Sequence, residues 1–264
     1  MSNISRYIEL AKICKATYQG PINQHQLTYN EKVLNHQKIV HGSYKRGFCR
    51  IFWNADTVII SFRGTREIID WFISNIKFRP VVLKNNPHNF KTIWVHRGFQ
   101  RTLLNYDDKT TGLKSLQAVW KHIQDNNLFN GRKIVITGHS LGGALAILFA
   151  VRLRMKYRKY SDLNLVEIVT FGAPAVGLKG FKKYYHDLSS KTIRVVNGSD
   201  IVPFTPPLFY HHVGNEIWLN EQVIKKNSGW FVRFAYALKL PLKKFMQDHS
   251  MDQYIEKLIF YKDA

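Results

Sequence analysis

Apolar positions along this chain follow two rhythms, one helical and one extended, and the way they alternate predicts the architecture. Tyr7, Ile8, Leu10, Ala11, Cys14 and Tyr18 recur at helical spacing and predict an amphipathic helix within Met1–Gly20. A polar segment follows through about Gly47. Two short apolar runs, Phe48–Trp53 and Thr57–Phe62, flank Asn54-Ala55-Asp56 and predict a β-hairpin. Ile68, Ile69, Phe72, Ile73 and Ile76, with Trp71 beside them, predict a short amphipathic helix. A Pro- and Asn-containing loop then leads to Trp94–Phe99. Leu116, Val119, Trp120 and Ile123 place a helix over Leu113–Asn127. The clearest strand is Lys133–Thr137, which runs through Gly138 into a helix from about Leu141. Strands follow at Leu165–Phe171, Thr192–Val196 and Glu216–Leu219, with a helix near Leu178–Leu188 and a terminal helix after His249. Strands alternating with helices indicate an α/β fold on a mainly parallel sheet, made mixed by the initial hairpin.

Composition sharpens this reading at three points. The 264 residues, 45% of them hydrophobic, fit one large α/β domain spanning residues 1–264. Two cysteines, Cys14 and Cys49, cannot make a disulfide framework, and two free thiols are expected. Arg6, Glu9, Lys12 and Lys15 interrupt the N-terminal apolar positions, so no signal peptide is read there and no stretch is apolar enough to span a bilayer. The expectation is a cytoplasmic protein or one exported without a leader. The balance of 39 Lys+Arg against 18 Asp+Glu gives a formal net charge of +21, which favours anionic partners.

The candidate chemistry sits at Ile134–Ala144, where Gly138-His139-Ser140-Leu141-Gly142 joins the best strand to a helix. A Gly-x-Ser-x-Gly pentapeptide in that context is the nucleophile elbow: a strained strand-to-helix turn that presents Ser140, expected to be exposed. Gly138 and Gly142 remove Cβ atoms that would collide across the turn. The helix N-terminus favours negative charge developing beside the serine. A serine hydroxyl needs a base, normally a histidine held by a carboxylate, and in α/β-hydrolases the order is Ser, acid, His. Asp200, in the loop after Thr192–Val196, is the best-placed acid, while Asp162 and Asp187 look solvated. His211, His212 and His249 all follow it and remain candidates for the base.

Six segments resemble, in order, the fungal-type triacylglycerol lipase family, the class 3 lipases of the α/β-hydrolase superfamily. They are Ser61–Thr65, Val95–Phe99, Gly138–Ala144, Thr170–Pro174, Asn197–Pro203 and His212–Trp218. The resemblance implies a catalytic triad of Ser140, Asp200 and His249, with His212 in a structural segment. It implies an oxyanion hole from Thr65 and the backbone N–H of Leu141. It also aligns the Ile68–Ile76 helix, with Ile68, Ile69, Trp71, Phe72 and Ile73, with the family's short helical lid. Compared with secreted fungal members, this chain lacks an evident signal peptide, has only two cysteines and is very basic.

The expected activity is therefore hydrolysis of lipid carboxylic esters through an acyl-enzyme, needing no cofactor and no metal. The alternatives are a phospholipase acting on anionic membranes, or a catalytically weak membrane-binding module on a hydrolase scaffold. Trp230–Phe245 mixes aromatic and basic residues as an interfacial helix would, which with the charge suggests peripheral attachment to an anionic lipid surface. The basic run Arg152–Lys159 is read as the solvated end of the helix after Ser140, and no specific nucleic-acid motif accompanies it.

Overall fold

The computed structural model describes residues 3–19, 27–42, 47–65, 79–84, 93–108, 110–157, 163–206, 209–220, 224–227 and 242–263. An eight-stranded sheet runs through them, its strands in chain order: β1 (His36–His41), β2 (Gly47–Trp53), β3 (Thr57–Phe62), β4 (Lys133–His139), β5 (Leu165–Phe171), β6 (Thr192–Asn197), β7 (Asn215–Leu219) and β8 (Ile224–Lys226). β3 to β7 are parallel, and antiparallel neighbours close both sides: β1 and β2 at one, β8 at the other.

Sequential parallel order has a structural consequence. Right-handed crossovers that all step in one direction put their helices on one face of the sheet. That face carries α2 (Arg97–Asn105), α3 (Ser115–Asp125), α4 (Leu141–Lys156), α5 (Lys179–Tyr184) and α6 (His186–Ser189). The opposite face is left to the chain ends, α1 (Asn3–Ala16) and α8 (Met251–Asp263), which pack on each other and on Phe52, Ile59, Val135, Val169 and Val195. A further short helix, α7 (Leu242–Gln247), precedes His249. Central strands are apolar on both faces for this reason, and every residue of β3 is buried.

Several boundaries differ from the sequence reading. The segment up to Gly47, read as polar, contains β1, an edge strand in which only Val40 is buried. The helix expected over Leu178–Leu188 is two short helices that break at Tyr185. α2 was not anticipated. Arg152 is buried rather than solvated: its guanidinium reaches Gln100 Oε1 at 3.4 Å and Met155 Sδ at 3.8 Å, because α4 is enclosed on nearly all sides. Its neighbours Arg154 and Lys156 lie over Tyr184 and Trp120 at 4.1 and 5.2 Å. Both cysteines are free and buried. The Ile68–Ile76 helix, and Trp230–Phe245 as far as residue 241, lie outside the described residues.

His96 caps α2. Its Nδ1 accepts the Phe99 N–H at 3.3 Å and its ring lies 4.2 Å from the Phe99 ring. Burial depresses its pKa from 6.5 to about 4. Below about pH 6.5 the unfolded chain binds a proton that the native state refuses, so stability falls as pH drops towards 4 and is flat above. The loss from this residue should reach about 3 kcal/mol. Asparagine also caps helices but does not titrate. Unfolding free energies of wild type and His96→Asn should therefore shift by that amount in the variant's favour between about pH 7 and pH 4; an unchanged difference would contradict the assignment.

Candidate active site

β4 ends at His139 and α4 begins at Leu141, so Ser140 alone makes the turn. It does so at φ 62° and ψ −131°, a conformation that L-residues other than glycine seldom adopt and that costs on the order of 1–3 kcal/mol. The turn is held from both sides. Ser140 N–H donates to the Phe171 carbonyl on β5 at 2.9 Å, and the Ser140 carbonyl accepts the Gly143 N–H at 2.9 Å. A Cβ on Gly142 would stand 2.1 Å from the Phe62 oxygen, and one on Gly138 2.3 Å from the Gly142 oxygen, so both glycines are required by close approach. The first N–H groups of α4, beginning with Leu141, have no intrahelical acceptor and point back towards the turn.

Ser140 is fully buried, which corrects the expectation of an exposed serine. The elbow lies under the loop that follows β3, where Gly64 has its Cβ position only 3.0 Å from Ser140 Cβ. Ser140 Oγ makes no hydrogen bond among the described residues. Thr65, next in that loop, is half-buried, and its hydroxyl oxygen is likewise buried without a partner among them.

Asp200 and His249, which the family resemblance paired, lie in contact. Asp200 follows β6 and is fully buried. Its Oδ1 and Oδ2 lie 2.8 and 2.9 Å from His249 Nδ1. Oδ1 also accepts the Val202 N–H at 2.9 Å, and Oδ2 accepts the Tyr254 hydroxyl at 2.6 Å. A carboxylate with these partners fixes the imidazole tautomer: Nδ1 carries the proton and Nε2 is a bare acceptor. That Nε2 is buried and has no partner among the described residues.

Two contacts that sequence reasoning missed fix this pair. Tyr254, on the buried face of α8 with Met251 and Leu258, is pinned between the Asn197 N–H, which it accepts at 3.1 Å, and Asp200. Burial first, and the Asp200 charge second, raise its pKa well above the ordinary phenol, so it remains a donor. Asp248 ties the loop that carries His249 to the loop that carries Asp200. Its Oδ2 accepts the Ser199 N–H and hydroxyl at 2.7 and 2.8 Å, and its carbonyl accepts Asn197 Nδ2 at 3.0 Å. Behind them, register partners Arg194 and Glu216 form a buried ion pair at 2.9 Å, and Trp218 Nε1 donates to the Gly198 carbonyl at 2.8 Å. The only early signal for Tyr254 was the helical period that turns it inward.

The other histidines are placed elsewhere. His212 Nε2 lies 2.7 Å from the Pro203 carbonyl, which it serves as a donor, in keeping with a structural segment. His211 bridges to Gly177 through its backbone. Among the described residues no three or more His, Cys, Asp or Glu side chains gather as a metal site. The lid candidates Ile68, Ile69, Trp71, Phe72 and Ile73 lie outside the described residues.

Residues 59–210 match the family described as Lipase (class 3). Phospholipase A1-Igamma2 of Arabidopsis thaliana is 31% identical over 202 residues, covering 62% of this chain and 37% of that protein. The lipase of Rhizomucor miehei is 34% identical over 167 residues, covering 62% of this chain and 42% of that protein. The chain thus spans less than half the length of either relative. Among solved structures, the Rhizomucor miehei triacylglyceride lipase matches with a TM-score of 0.61 at 25% identity, over 83% of this chain and 79% of that one. Lipase II of Rhizopus niveus shares the fold with a TM-score of 0.66 at 23% identity, over 93% and 92%.

Proposed function

From the premise that the chain belongs to the class 3 lipase family, we propose that it hydrolyses carboxylic esters of lipids through an acyl-enzyme on Ser140. The observation that carries the reading is a pair of buried, unpartnered atoms: Ser140 Oγ on a strained elbow, and the Nε2 of a histidine already held through Nδ1 by Asp200. Ser140 Oγ attacks the ester carbonyl carbon as His249 Nε2 takes its proton. Asp200 stabilises the resulting imidazolium. The backbone N–H groups of Thr65 and Leu141 hold the oxyanion, with each such donor contributing on the order of 10²–10³ in rate. His249 then protonates the departing alcohol. Water, deprotonated by the same Nε2, attacks the acyl carbon; the acyl–Oγ bond breaks, the proton on Nε2 passes to Ser140 Oγ, and the fatty acid leaves.

A phospholipid is the second substrate reading, and two observations favour it. The Arabidopsis relative is named a phospholipase A1, as are relatives from Oryza sativa at 27 and 28% identity. The net charge of +21 would hold the protein at anionic lipid. Phe209, on the segment leading away from Asp200, is 81% exposed. His211, two residues further on, has its pKa lowered by burial and then by the charges of Lys182 and Lys179. A basic side chain near an anionic leaflet contributes about 1 kcal/mol of attraction. The experiment is fatty-acid release from triacylglycerol emulsions and from phosphatidylcholine vesicles with and without phosphatidylglycerol. Release from vesicles should rise with anionic lipid and weaken with salt, since screening contracts the field to about 8 Å at physiological ionic strength. Equal rates on neutral and anionic vesicles, unchanged by salt, would remove the surface from the proposal. Failure to cleave any of these esters would remove the activity.

A further inference from the structure

Two side chains outside the acyl-transfer chemistry connect its parts. Tyr18 lies just past the end of α1, and its hydroxyl oxygen accepts the Gly64 N–H at 3.1 Å. The same oxygen stands 2.8 Å from Nδ1 of His139, the residue before Ser140. The other ring nitrogen of His139, Nε2, stands 2.8 Å from the carbonyl oxygen of His249.

The chemistry of the partners fixes the direction of these bonds. A carbonyl only accepts, so Nε2 of His139 carries the hydrogen, Nδ1 of the neutral ring is bare, and the Tyr18 O–H donates to it. Burial, and secondarily the positive charge His249 can carry, hold the His139 pKa well below that of an ordinary imidazole, which keeps the ring neutral. The donors then run from Gly64 N–H to Tyr18, and from Tyr18 O–H to His139 Nδ1. From the far side of the ring, His139 Nε2–H runs on to the His249 carbonyl. The rings are packed as well as bonded: His139 lies 5.8 Å from Tyr18 at 64° and 4.6 Å from His249 at 34°. Gly64 is held tightly enough that a Cβ there would stand 2.4 Å from the Tyr18 oxygen.

We propose that Tyr18 and His139 are positioning residues for ester hydrolysis, locking the oxyanion loop, the elbow and the base's loop into one register through the chain Gly64–Tyr18–His139–His249. The inference rests on the reading of Ser140, His249 and Thr65 given above. The three loops come from distant parts of the sequence, and Thr65 directly follows the Gly64 N–H that Tyr18 accepts. Oxyanion donors act only within about 2.7–3.1 Å of the developing charge, and a misplacement of about 1 Å can cost about 10²-fold. Cutting the chain should therefore slow turnover while leaving ground-state binding of a small ester nearly intact.

The test compares wild type, Tyr18→Phe, His139→Asn, His139→Gln and Tyr18→Phe/His139→Asn on a soluble p-nitrophenyl ester, with Ser140→Ala alongside. Active sites are counted from the end point of covalent labelling by a p-nitrophenyl phosphonate, so that a partly unfolded preparation is not mistaken for a slow one. Tyr18→Phe should lower kcat per active site by about 10- to 100-fold, with KM within about twofold of wild type, and should slow phosphonate labelling in parallel. Gln can place an amide donor where Nε2 was, and Asn cannot, so His139→Gln should retain more kcat than His139→Asn. The double variant should be little slower than the worse single variant, because both break one chain. Tyr18→Phe turnover within twofold of wild type, or multiplicative losses in the double variant, would overturn the proposal. If Tyr18→Phe does not fold, the Gln-over-Asn order decides it alone, and equal kcat values overturn it. Undiminished turnover by Ser140→Ala would instead strike the underlying reading of the active site.

Discussion

Ser140→Ala should eliminate ester hydrolysis, lowering kcat by at least about 10⁴-fold, and should leave the protein slightly more stable than wild type. The first half follows from the proposed role of Oγ as the attacking atom; without it, binding and oxyanion stabilisation alone would give only a residue of catalysis over water. The second half follows from burial. Ser140 Oγ is enclosed and has no hydrogen-bond partner among the described residues. A buried polar atom left unsatisfied costs about 1–3 kcal/mol, and deleting it recovers part of that cost. The substitution creates no new backbone strain, since Ala and Ser share the same penalty at φ 62°. Turnover is measured on a p-nitrophenyl ester, and stability by denaturant unfolding. Activity above a few per cent of wild type would remove Ser140 from the nucleophile's role. An inactive variant with clearly lower stability would mean that the hydroxyl is a structural donor instead.

Legibility in the sequence divides along physical lines. The sheet's centre was readable because β3 to β6 are covered on both faces and so appear as short, nearly continuous apolar runs between turn residues. Its edge was not. In β1, His36-Gln37-Lys38-Ile39-Val40-His41, only Val40 is buried, so there is no apolar face to recognise and the strand is defined by pairing with β2. α2 escaped notice because its buried set, Phe99, Gln100, Thr102 and Leu103, is half polar. The run Arg152–Lys159 misled in the opposite direction. Charge suggested a wet face, but α4 is the central helix of its layer, and Arg152 is drawn inward to Gln100.

The site shows the same division between chemistry and support. Ser140 announces itself through local spacing, since strand, glycines and helix all lie within a few residues. Asp200 is constrained by chain order and by its place after β6, whereas chain order left three histidines open and the family resemblance chose His249. Tyr254, Tyr18 and His139 act through partners 54, 121 and 110 residues away, and no local periodicity encodes such pairings. The buried state of Ser140 was unreadable for the same reason: the loop that covers it is brought over β4 by the parallel pairing of β3 and β4, not by anything near residue 140.

His249→Ala should be nearly as damaging as loss of the serine, about 10⁴-fold in kcat, whereas His212→Ala should stay active. Chain order alone left three histidines open after Asp200, the family resemblance pointed to His249, and their contacts now distinguish them. His249 presents a bare, buried Nε2 while its Nδ1 is held by both oxygens of Asp200. His212 has its Nε2 engaged with the Pro203 carbonyl at 2.7 Å, so that nitrogen is a donor and cannot take a proton. Removing His212 deletes its hydrogen bond to the Pro203 carbonyl, worth about 1 kcal/mol, and should appear as a lower unfolding midpoint with kcat little changed. Removing His249 also withdraws a partner from a fully buried carboxylate, so His249→Ala should lose stability as well as activity. Because members of a triad act as a unit, adding Asp200→Asn to His249→Ala should cost far less than the product of the two single losses. Steady-state rates per folded protein, with unfolding midpoints measured on the same preparations, check all three statements. A folded but inactive His212→Ala beside an active His249→Ala would show that the base has been assigned to the wrong histidine.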